Sequence, residues 1–253
     1  MPHRADLFFM HQDAQIHYDA FLAGCYSWIS GGAEEPVRKN RDFFSSHGII
    51  PGNNPVAIDL GAGCGFQSVP LARLGYSVTA VDFCGSLLDE LRSYAGDLPI
   101  QTIKSDILNF SSWSGRHPAL IVCMGDTLTH LPAPVDVEDL IRQCYSELNP
   151  GGRLVLSLRD YSREPDGAVA VIPVMRSEDR IYLCRLEYQA ETITVQDILY
   201  SSGQGFWERT AGNYTKIRVE PETLTRMLNR TGFRNEYSAV NNGMIEVIAQ
   251  KGA

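Results

Sequence analysis

Three glycines in the first half of the chain have the types and spacing of a ligand-binding loop. Gly61, Gly63 and Gly65 follow the apolar run "VAIDL" in the order G-x-G-x-G. Glycines after a strand allow a tight turn and a close approach of the ligand to the backbone. The helix N-terminus that follows offers unpaired N–H groups and the positive end of a dipole. Such a loop suits a dinucleotide or a nucleoside.

The spacing of the glycines discriminates between these two ligands. The dinucleotide fingerprint G-x-G-x-x-G requires its third glycine where this chain has Phe66. An acid, Asp59, also stands two residues before the first glycine, and Asp82 and Asp106 follow at the ends of the next two apolar runs. The pattern therefore departs from the dinucleotide fingerprint.

In these features the chain resembles the class I S-adenosylmethionine-dependent methyltransferases, whose first motif typically reads D-x-G-x-G-x-G. The resemblance implies that Asp82 accepts both ribose hydroxyls. It also implies that Asp106 meets the adenine amine, and the N–H of Ile107 the adenine ring. "LNPGGRLVLS" is similar to the family's turn before the fifth strand. The implied cofactor is S-adenosyl-L-methionine, and its predicted site comprises Asp59, Gly61, Ala62, Gly63, Gly65, Asp82, Phe83, Asp106, Ile107, Met124 and Trp28.

Two further stretches, "IVCMGDTLTHLPA" and "NPGGRLVLSLRDYS", resemble those of glycine and glycine/sarcosine N-methyltransferases. The resemblance implies that Arg159, after the fifth strand, holds a substrate carboxylate and that Tyr188, in an inserted sheet, lines the acceptor pocket. The family has an asparagine in its fourth motif where this chain has Asp126. A carboxylate there favours a protonated or partly charged amine. The predicted reaction is N-methylation of a small amine or amino acid.

Each residue of this predicted acceptor site also has a structural interpretation. Arg159 could pair with Asp160 or Glu187 at the strand end, and Asp126 could cap the turn that follows it. His130 could be a general base, because the ordinary pKa of a histidine suits proton removal, but it could equally be a structural hydrogen-bonding group. Trp28 could stack on the cofactor or pack in the core, and Tyr188 could simply pack the inserted sheet.

Two alternative functions stay open at this point. The acceptor could be a hydroxyl or a thiol, with His130 or Asp126 as the base that removes its proton. The chain could also bind S-adenosylmethionine without turnover, as a sensor or a partner subunit. An inserted segment over the acceptor side argues for an enzyme, because a binding module has little use for one.

The elements that position these residues alternate between strands and helices. Five short apolar runs between residues 55 and 160 are separated by helical stretches, which indicates βαβ units and a parallel sheet. The prediction is an α/β fold: a Rossmann-like, mostly parallel seven-stranded sheet that ends in an antiparallel hairpin at "NNG". The predicted domains are an N-terminal helical lid (1–54), the cofactor-binding core (55–160), an antiparallel β insertion as substrate cap (161–219) and a C-terminal helix and hairpin (220–253).

One helix of the predicted lid carries an apolar stripe. Tyr18, Phe21, Leu22, Cys25 and Ile29 recur at helical spacing. A second helix follows "SGGAEE" and ends near "HGIIPGNNP".

Composition excludes several classes of partner. The chain has 253 residues and a formal net charge of −8, with no Lys/Arg cluster, so nucleic acid is not an expected partner. No apolar stretch is long enough to span a membrane and no signal-peptide pattern opens the chain. The six cysteines are scattered, so neither a disulfide framework nor a metal site is expected. We expect a cytoplasmic enzyme with a small-molecule acceptor; the sequence leaves its oligomeric state open.

Overall fold

The computed structural model describes residues 14–164, 167–203 and 205–252. The first thirteen residues of the predicted lid, and the expected absence of a signal peptide there, lie outside this range. The strands, β1 to β11 in chain order, are Val56–Leu60, Ser77–Asp82, Ile100–Lys104, Leu120–Cys123, Arg153–Arg159, Val169–Arg176, Arg180–Tyr188, Thr192–Gly203, Phe206–Ile217, Arg234–Asn241 and Met244–Gln250. The helices that follow the N-terminal stretch, α1 to α5, are Glu34–Ser46, Ser68–Arg73, Gly85–Ala95, Pro134–Glu147 and Pro221–Thr231.

The larger sheet has seven strands in the order β10-β11-β5-β4-β1-β2-β3. Strands β1 to β5 run parallel, and β11 pairs antiparallel with both β5 and β10. Asn242 and Gly243 turn the β10–β11 hairpin with positive φ angles, as the "NNG" signal predicts. The predicted fold class, a mostly parallel seven-stranded sheet with a C-terminal antiparallel hairpin, is confirmed.

The strand order reverses beside β1, which has β4 on one side and β2 on the other. Helices α4 and α5 pack on one face of the sheet, and α1, α2 and α3 pack on the other. Every residue of β4 is buried, as the central strand of a sheet covered on both faces requires. Open α/β sheets bind ligands at the carboxyl ends of the strands where the order reverses, so the loops after β1 and β4 mark the expected site.

A separate sheet of four antiparallel strands, in the order β6-β7-β8-β9, forms the inserted segment. Its last strand is longer than predicted, because β9 begins at Phe206 rather than near Tyr214. Polar residues and Gly212 interrupt the apolar alternation of this stretch, and hydrogen bonding to β8 extends the strand regardless. The domain boundaries, and the roles of lid and cap, stay predictions.

The N-terminal segment is not the continuous helix that its apolar stripe predicts. Residues 14–20 are α-helical, Leu22–Cys25 form a 3₁₀ turn and Tyr26–Ile29 form a single α-helical turn. Gly24 lies in the middle of the stretch and lowers its intrinsic helix propensity. The turns instead follow tertiary packing against the inserted sheet and the glycine loop.

Candidate active site

A cavity lies where the loops after β1 to β4 meet the N-terminal segment. It encloses about 770 Å³ of empty space, counting the part that is open to solvent, which is within the usual range of small-molecule sites. The residues that line it are Tyr18, Tyr26, Gly61, Ala62, Gly63, Cys64, Phe66, Gln67, Asp82, Phe83, Leu87, Asp106, Ile107, Met124, Gly125, Thr127, His130 and Leu131.

The loop after β1 has backbone angles that only glycine adopts easily. Gly61, Gly63 and Gly65 have φ angles of +77°, +50° and +92°. A Cβ on Gly61 would overlap the Thr127 side chain, and one on Gly65 would overlap Leu91. Gly61 and Gly63 line the cavity, whereas Gly65 packs the loop against α3.

Asp82 joins this loop to the end of β2. One carboxylate oxygen accepts the N–H of Gly63 and the other accepts the N–H of Cys84, each at 2.8 Å. Burial raises the pKa of Asp82 to about 6, although these two hydrogen bonds act to lower it. The side chain therefore holds the loop in place as well as lining the cavity.

Three predicted cofactor residues do not line the cavity. The buried carboxylate of Asp59 accepts a hydrogen bond of 2.6 Å from Ser68 at the start of α2, so it links the two ends of the glycine loop, β1 and α2. Gly65 serves helix packing. The ring of Trp28 lies 4.4 Å from the Arg180 guanidinium of β7, in a cluster with the inserted sheet. This position corresponds to the alternative in which Trp28 packs against other side chains rather than stacking on the cofactor.

The remaining predicted cofactor residues do line the cavity. Asp106 follows β3, and its carboxylate accepts the N–H of Leu108 at 2.9 Å, which shapes the turn that carries Ile107. Phe83 and Met124 lie at the ends of β2 and β4. Their roles toward a cofactor stay predictions.

Asp126 is buried and does not line the cavity. It occupies the N-cap position of the turn that follows, but its side chain makes no capping hydrogen bond there. Its carboxylate accepts the N–H of Arg159 at 2.9 Å, the hydroxyl of Tyr161 at 3.2 Å and the ammonium of Lys216 at 2.5 Å. Burial acts to raise the pKa of Asp126, but Lys216 and His130 outweigh it and lower the pKa. The side chain is thus an ionised bridge between β5 and β9.

His130 does line the cavity, at the end of the 3₁₀ turn Thr127–His130. Its ring stacks on Tyr214 of β9, with 5.3 Å between ring centroids, and meets the edge of Tyr18 at 5.6 Å. Of the four residues predicted to act on the acceptor, it is the one that the structure brings to the cavity wall.

Arg159 and Tyr188 lie away from the cavity lining. Arg159 is exposed at the end of β5. Of its two possible partners, Glu187 pairs with Arg185 at 2.8 Å and Asp160 accepts the N–H of Ser162 at 2.9 Å. The ring of Tyr188 packs beside Tyr161, with 6.3 Å between centroids. Their predicted contacts with the acceptor stay predictions.

Two residues at or behind the cavity wall, Tyr18 and Lys216, were not predicted as site residues. Tyr18 lines the cavity from the N-terminal segment, where the sequence indicates it only as part of an apolar stripe. Tyr26, which from the sequence could stack on the cofactor or pack in the core, lines the cavity as well. Lys216, the partner of Asp126, is buried. A usable signal existed in "YTKIRVE", because strand alternation places Lys216 on the same face as the aromatic Tyr214.

No group of three or more His, Cys, Asp or Glu side chains suited to a metal ion occurs in the described part of the chain. All six cysteines are free thiols. Burial raises the pKa of the cavity-lining Cys64 to about 12. Among the described residues, no helix is long and apolar enough to cross a membrane.

Comparison with known proteins decides the family. A methyltransferase-domain model matches residues 57–152. The ubiquinone biosynthesis O-methyltransferase of Xanthomonas axonopodis pv. citri is 32% identical over 191 residues, which cover 73% of this chain and 74% of that relative. The chain belongs to the class I S-adenosylmethionine-dependent methyltransferases. This methyltransferase is therefore an enzyme, and the interpretation as a binding module without turnover is set aside.

Other similarities agree with this membership. The methyltransferase is 24% identical over 180 residues to the glycine/sarcosine N-methyltransferase of Aphanothece halophytica, covering 70% of this chain and 66% of that one. A solved S-adenosylmethionine-dependent methyltransferase from Clostridium acetobutylicum superposes with a TM-score of 0.73 at 15% identity, over 85% of this chain and 92% of that one. The methyl donor of the family is S-adenosylmethionine.

The residues present fit this donor. Among the described residues that line the cavity, two are carboxylates, Asp82 and Asp106, and none is a lysine or an arginine. A positively charged sulfonium requires no basic phosphate cradle and is stabilised by acids and by aromatic faces such as those of Tyr18 and Tyr26. Gly63 leaves the space beside the loop open for close approach, because a Cβ there would meet nothing nearer than 3.9 Å.

Proposed function

We propose that the enzyme methylates the nitrogen of a small amine or amino acid. The observation that carries this proposal is the cavity wall around His130: the aromatic rings of Tyr18 and Tyr26 line it, and no lysine or arginine occurs among the described lining residues. Such a wall attracts cations, and an amine in neutral water is a cation. The 24% identity to a glycine/sarcosine N-methyltransferase supports the same acceptor class.

His130 is the proposed acceptor of the amine's proton. An ammonium has no lone pair, so it must lose a proton before its nitrogen can attack, and an imidazole is suited to take it near neutral pH. Tyr18 is unsuited, because burial, with Tyr26 and Asp82 nearby, raises its pKa well above the usual value. Asp126 is unsuited because its carboxylate is already bonded to Arg159, Tyr161 and Lys216.

The other residues at the cavity orient the reactants and exclude water. S-adenosylmethionine supplies a methyl group that is activated by its sulfonium. Methyl transfer is an in-line displacement, so its rate depends on alignment of the nucleophile and on desolvation. Asp82, Asp106 and the N–H of Ile107 are proposed to hold the donor. Tyr18 and Tyr26 cover the cavity from the N-terminal segment and keep water out.

For an amino acid acceptor, Arg159 is the proposed carboxylate anchor. It is exposed at the end of β5, and its charge acts to lower the pKa of both Tyr161 and Tyr188. Arg159 therefore lies beside the inserted sheet rather than in the cavity. This position suits a contact with the outer end of an acceptor.

A second candidate is methylation of a hydroxyl. It is favoured by the 32% identity to a ubiquinone biosynthesis O-methyltransferase, together with the position of His130 on the cavity wall. In this reaction His130 acts as a general base on the hydroxyl, a role that contributes about 10²- to 10⁴-fold to the rate.

One assay separates the two candidates. Formation of S-adenosylhomocysteine is measured with amines, amino acids, phenols, alcohols and thiols, for the wild type, for His130→Ala and for His47→Ala, a histidine outside the cavity. We expect turnover on amines, and a defect of His130→Ala that disappears at high pH, where free amine is abundant. Turnover on hydroxyl acceptors, with a loss of about 100-fold or more in His130→Ala, would favour the second candidate.

A further inference from the structure

Three aromatic rings form a column behind the cavity wall. Tyr214 of β9 stacks on His130, with centroids 5.3 Å apart and planes 14° apart. Its other neighbour is His17 of the N-terminal helix, at 4.9 Å and 29°. The tyrosine ring is therefore held between two imidazoles, of which one lines the cavity and the other does not.

The far end of the column is anchored in the inserted sheet. The Nε2 atom of His17 lies 2.8 Å from a carboxylate oxygen of Asp197 on β8, and both side chains are buried. The two residues are 180 positions apart in the chain. A buried hydrogen bond to a charged group is short and strong, so it holds His17 in one position.

The sequence of β9 makes room for this arrangement. Gly212 pairs with Asp197 across the sheet, and a Cβ on Gly212 would overlap the imidazole of His17. A glycine inside a strand often marks close approach of another group, and here that group is the histidine ring. Gly212 has no positive φ, so an alanine there disturbs the ring contact rather than the backbone.

We propose that Asp197, His17 and Tyr214 are positioning residues that fix the orientation of the His130 imidazole at the cavity wall. The proposal deepens the proposed function, since His130 is the residue to which that function assigns proton removal. Stacked aromatic pairs favour a narrow range of relative orientations, which restricts rotation of the ring. Asp197 holds His17, His17 stacks on Tyr214, and Tyr214 stacks on His130, so the column favours one orientation of the His130 ring at the cavity wall.

The test uses nuclear magnetic resonance of the full chain, with ¹⁵N-labelled histidine and bound S-adenosylhomocysteine. Signals of His17 and His130 are assigned with His17→Gln and His130→Gln. Gly212→Ala and Tyr214→Leu are expected to shift and broaden the ring signals of His130. Tyr214→Phe, which keeps the ring, and Gly203→Ala, a glycine of β8 with nothing within 4 Å of a Cβ, are expected to leave them unchanged.

Binding of S-adenosylhomocysteine shows which variants are folded. If Gly212→Ala does not fold, Asp197→Asn, which keeps the shape but not the charge, replaces it. The proposal would be overturned by a folded variant in which the His17 signals shift and the His130 signals do not. Equal effects of Tyr214→Leu and Tyr214→Phe on the His130 signals would also overturn it. This readout needs no methyl transfer, so it stands even if amines are not the acceptors. Once an acceptor that the enzyme methylates is known, Gly212→Ala is also expected to lower kcat for that acceptor by about 10- to 100-fold.

Discussion

Two sides of the cavity are built from contacts of different range along the chain. The cofactor side, made of residues 61–66, 82–83 and 106–107, is shaped by short loops that each follow a parallel strand, with hydrogen bonds such as Asp82 to Gly63 over 19 positions. On the opposite side Tyr18, Thr127 and His130 line the cavity, and Asp126, Tyr214 and Lys216 lie behind them. This side depends on contacts such as Lys216 to Asp126 over 90 positions and His17 to Asp197 over 180. The first side is therefore specified locally, and the second only by the complete fold.

The largest effect on ligand binding is expected on the cofactor side, from Gly61→Ala. The substitution places a side chain at φ +77° and against Thr127. Backbone strain of about 1–3 kcal/mol and the clash together are expected to lower the affinity for S-adenosylhomocysteine by about 100-fold, measured by titration calorimetry. Gly96→Ala is the matched control, with φ +57° but open space around the Cβ. Equal affinities of the two variants would show that the loop does not depend on this glycine.

The largest effect on stability is expected on the opposite side, from Lys216→Met. Removing the ammonium leaves the buried carboxylate of Asp126 without its cation, which typically costs about 3–5 kcal/mol in the free energy of unfolding. Chemical denaturation measures this cost. Lys39→Met, which removes an exposed pair with Glu35, is expected to change stability little. Recovery of most of the loss by adding Asp126→Asn is the expected signature of the pair, and a small effect of Lys216→Met would contradict it.

A pH-dependent effect is expected beneath the glycine loop, from Asp59→Asn. Burial raises the pKa of Asp59 to about 7 in the folded protein, while an unfolded aspartate has a pKa of about 3.9. The folded wild type therefore binds a proton that the unfolded chain releases, and its stability falls as pH rises from about 4 to about 7.

The asparagine variant lacks this loss, so its stability relative to wild type is expected to rise with pH over that window, by roughly 1.4 kcal/mol for each unit of pKa difference. Denaturation at several pH values measures it, with the exposed Asp97→Asn as control. A difference that does not change between pH 4 and 7 would contradict a raised pKa.

The smallest effect is expected at the outer end of the proposed acceptor site, from Arg159→Ala. The side chain is exposed, so stability is expected to stay near that of wild type. If Arg159 anchors a carboxylate, kcat/KM falls by about 10-fold for amino acids and stays unchanged for simple amines. Equal losses for both kinds of acceptor would exclude the anchor.

The cofactor side and the sheet could be predicted from the sequence because their signals are local. Each of the five parallel strands contains a short apolar run, and the positive φ angles of the loop fall on Gly61, Gly63 and Gly65, whose spacing marks the loop in the sequence. Asp82 and Asp106 lie at strand ends, which parallel topology brings to one edge. The position of Trp28 beside Arg180 could not be predicted, because the sequence of the N-terminal segment does not indicate which of its rings packs against β7.

The opposite side could not be predicted in the same way. The sequence around Asp126 gives no indication that Lys216 of β9 forms an ion pair with its carboxylate. The strand that bears Lys216 and Tyr214 was itself predicted too short. The bond between His17 and Asp197 joins two elements whose adjacency follows only from docking of the N-terminal segment on the inserted sheet. Such contacts are visible in the folded structure but not in the spacing of residues along the sequence.

The central claim, that a nitrogen acceptor binds in this cavity, is tested most directly by following the transferred methyl group. The enzyme is incubated with S-adenosylmethionine carrying a ¹³C-labelled methyl group and a mixture of amines, amino acids, phenols and thiols. Mass spectrometry and ¹³C resonance then identify the labelled atom. We predict label on nitrogen, lost at neutral pH in His130→Ala. Label on oxygen or sulfur, or label on nitrogen that is indifferent to His130, would contradict the account.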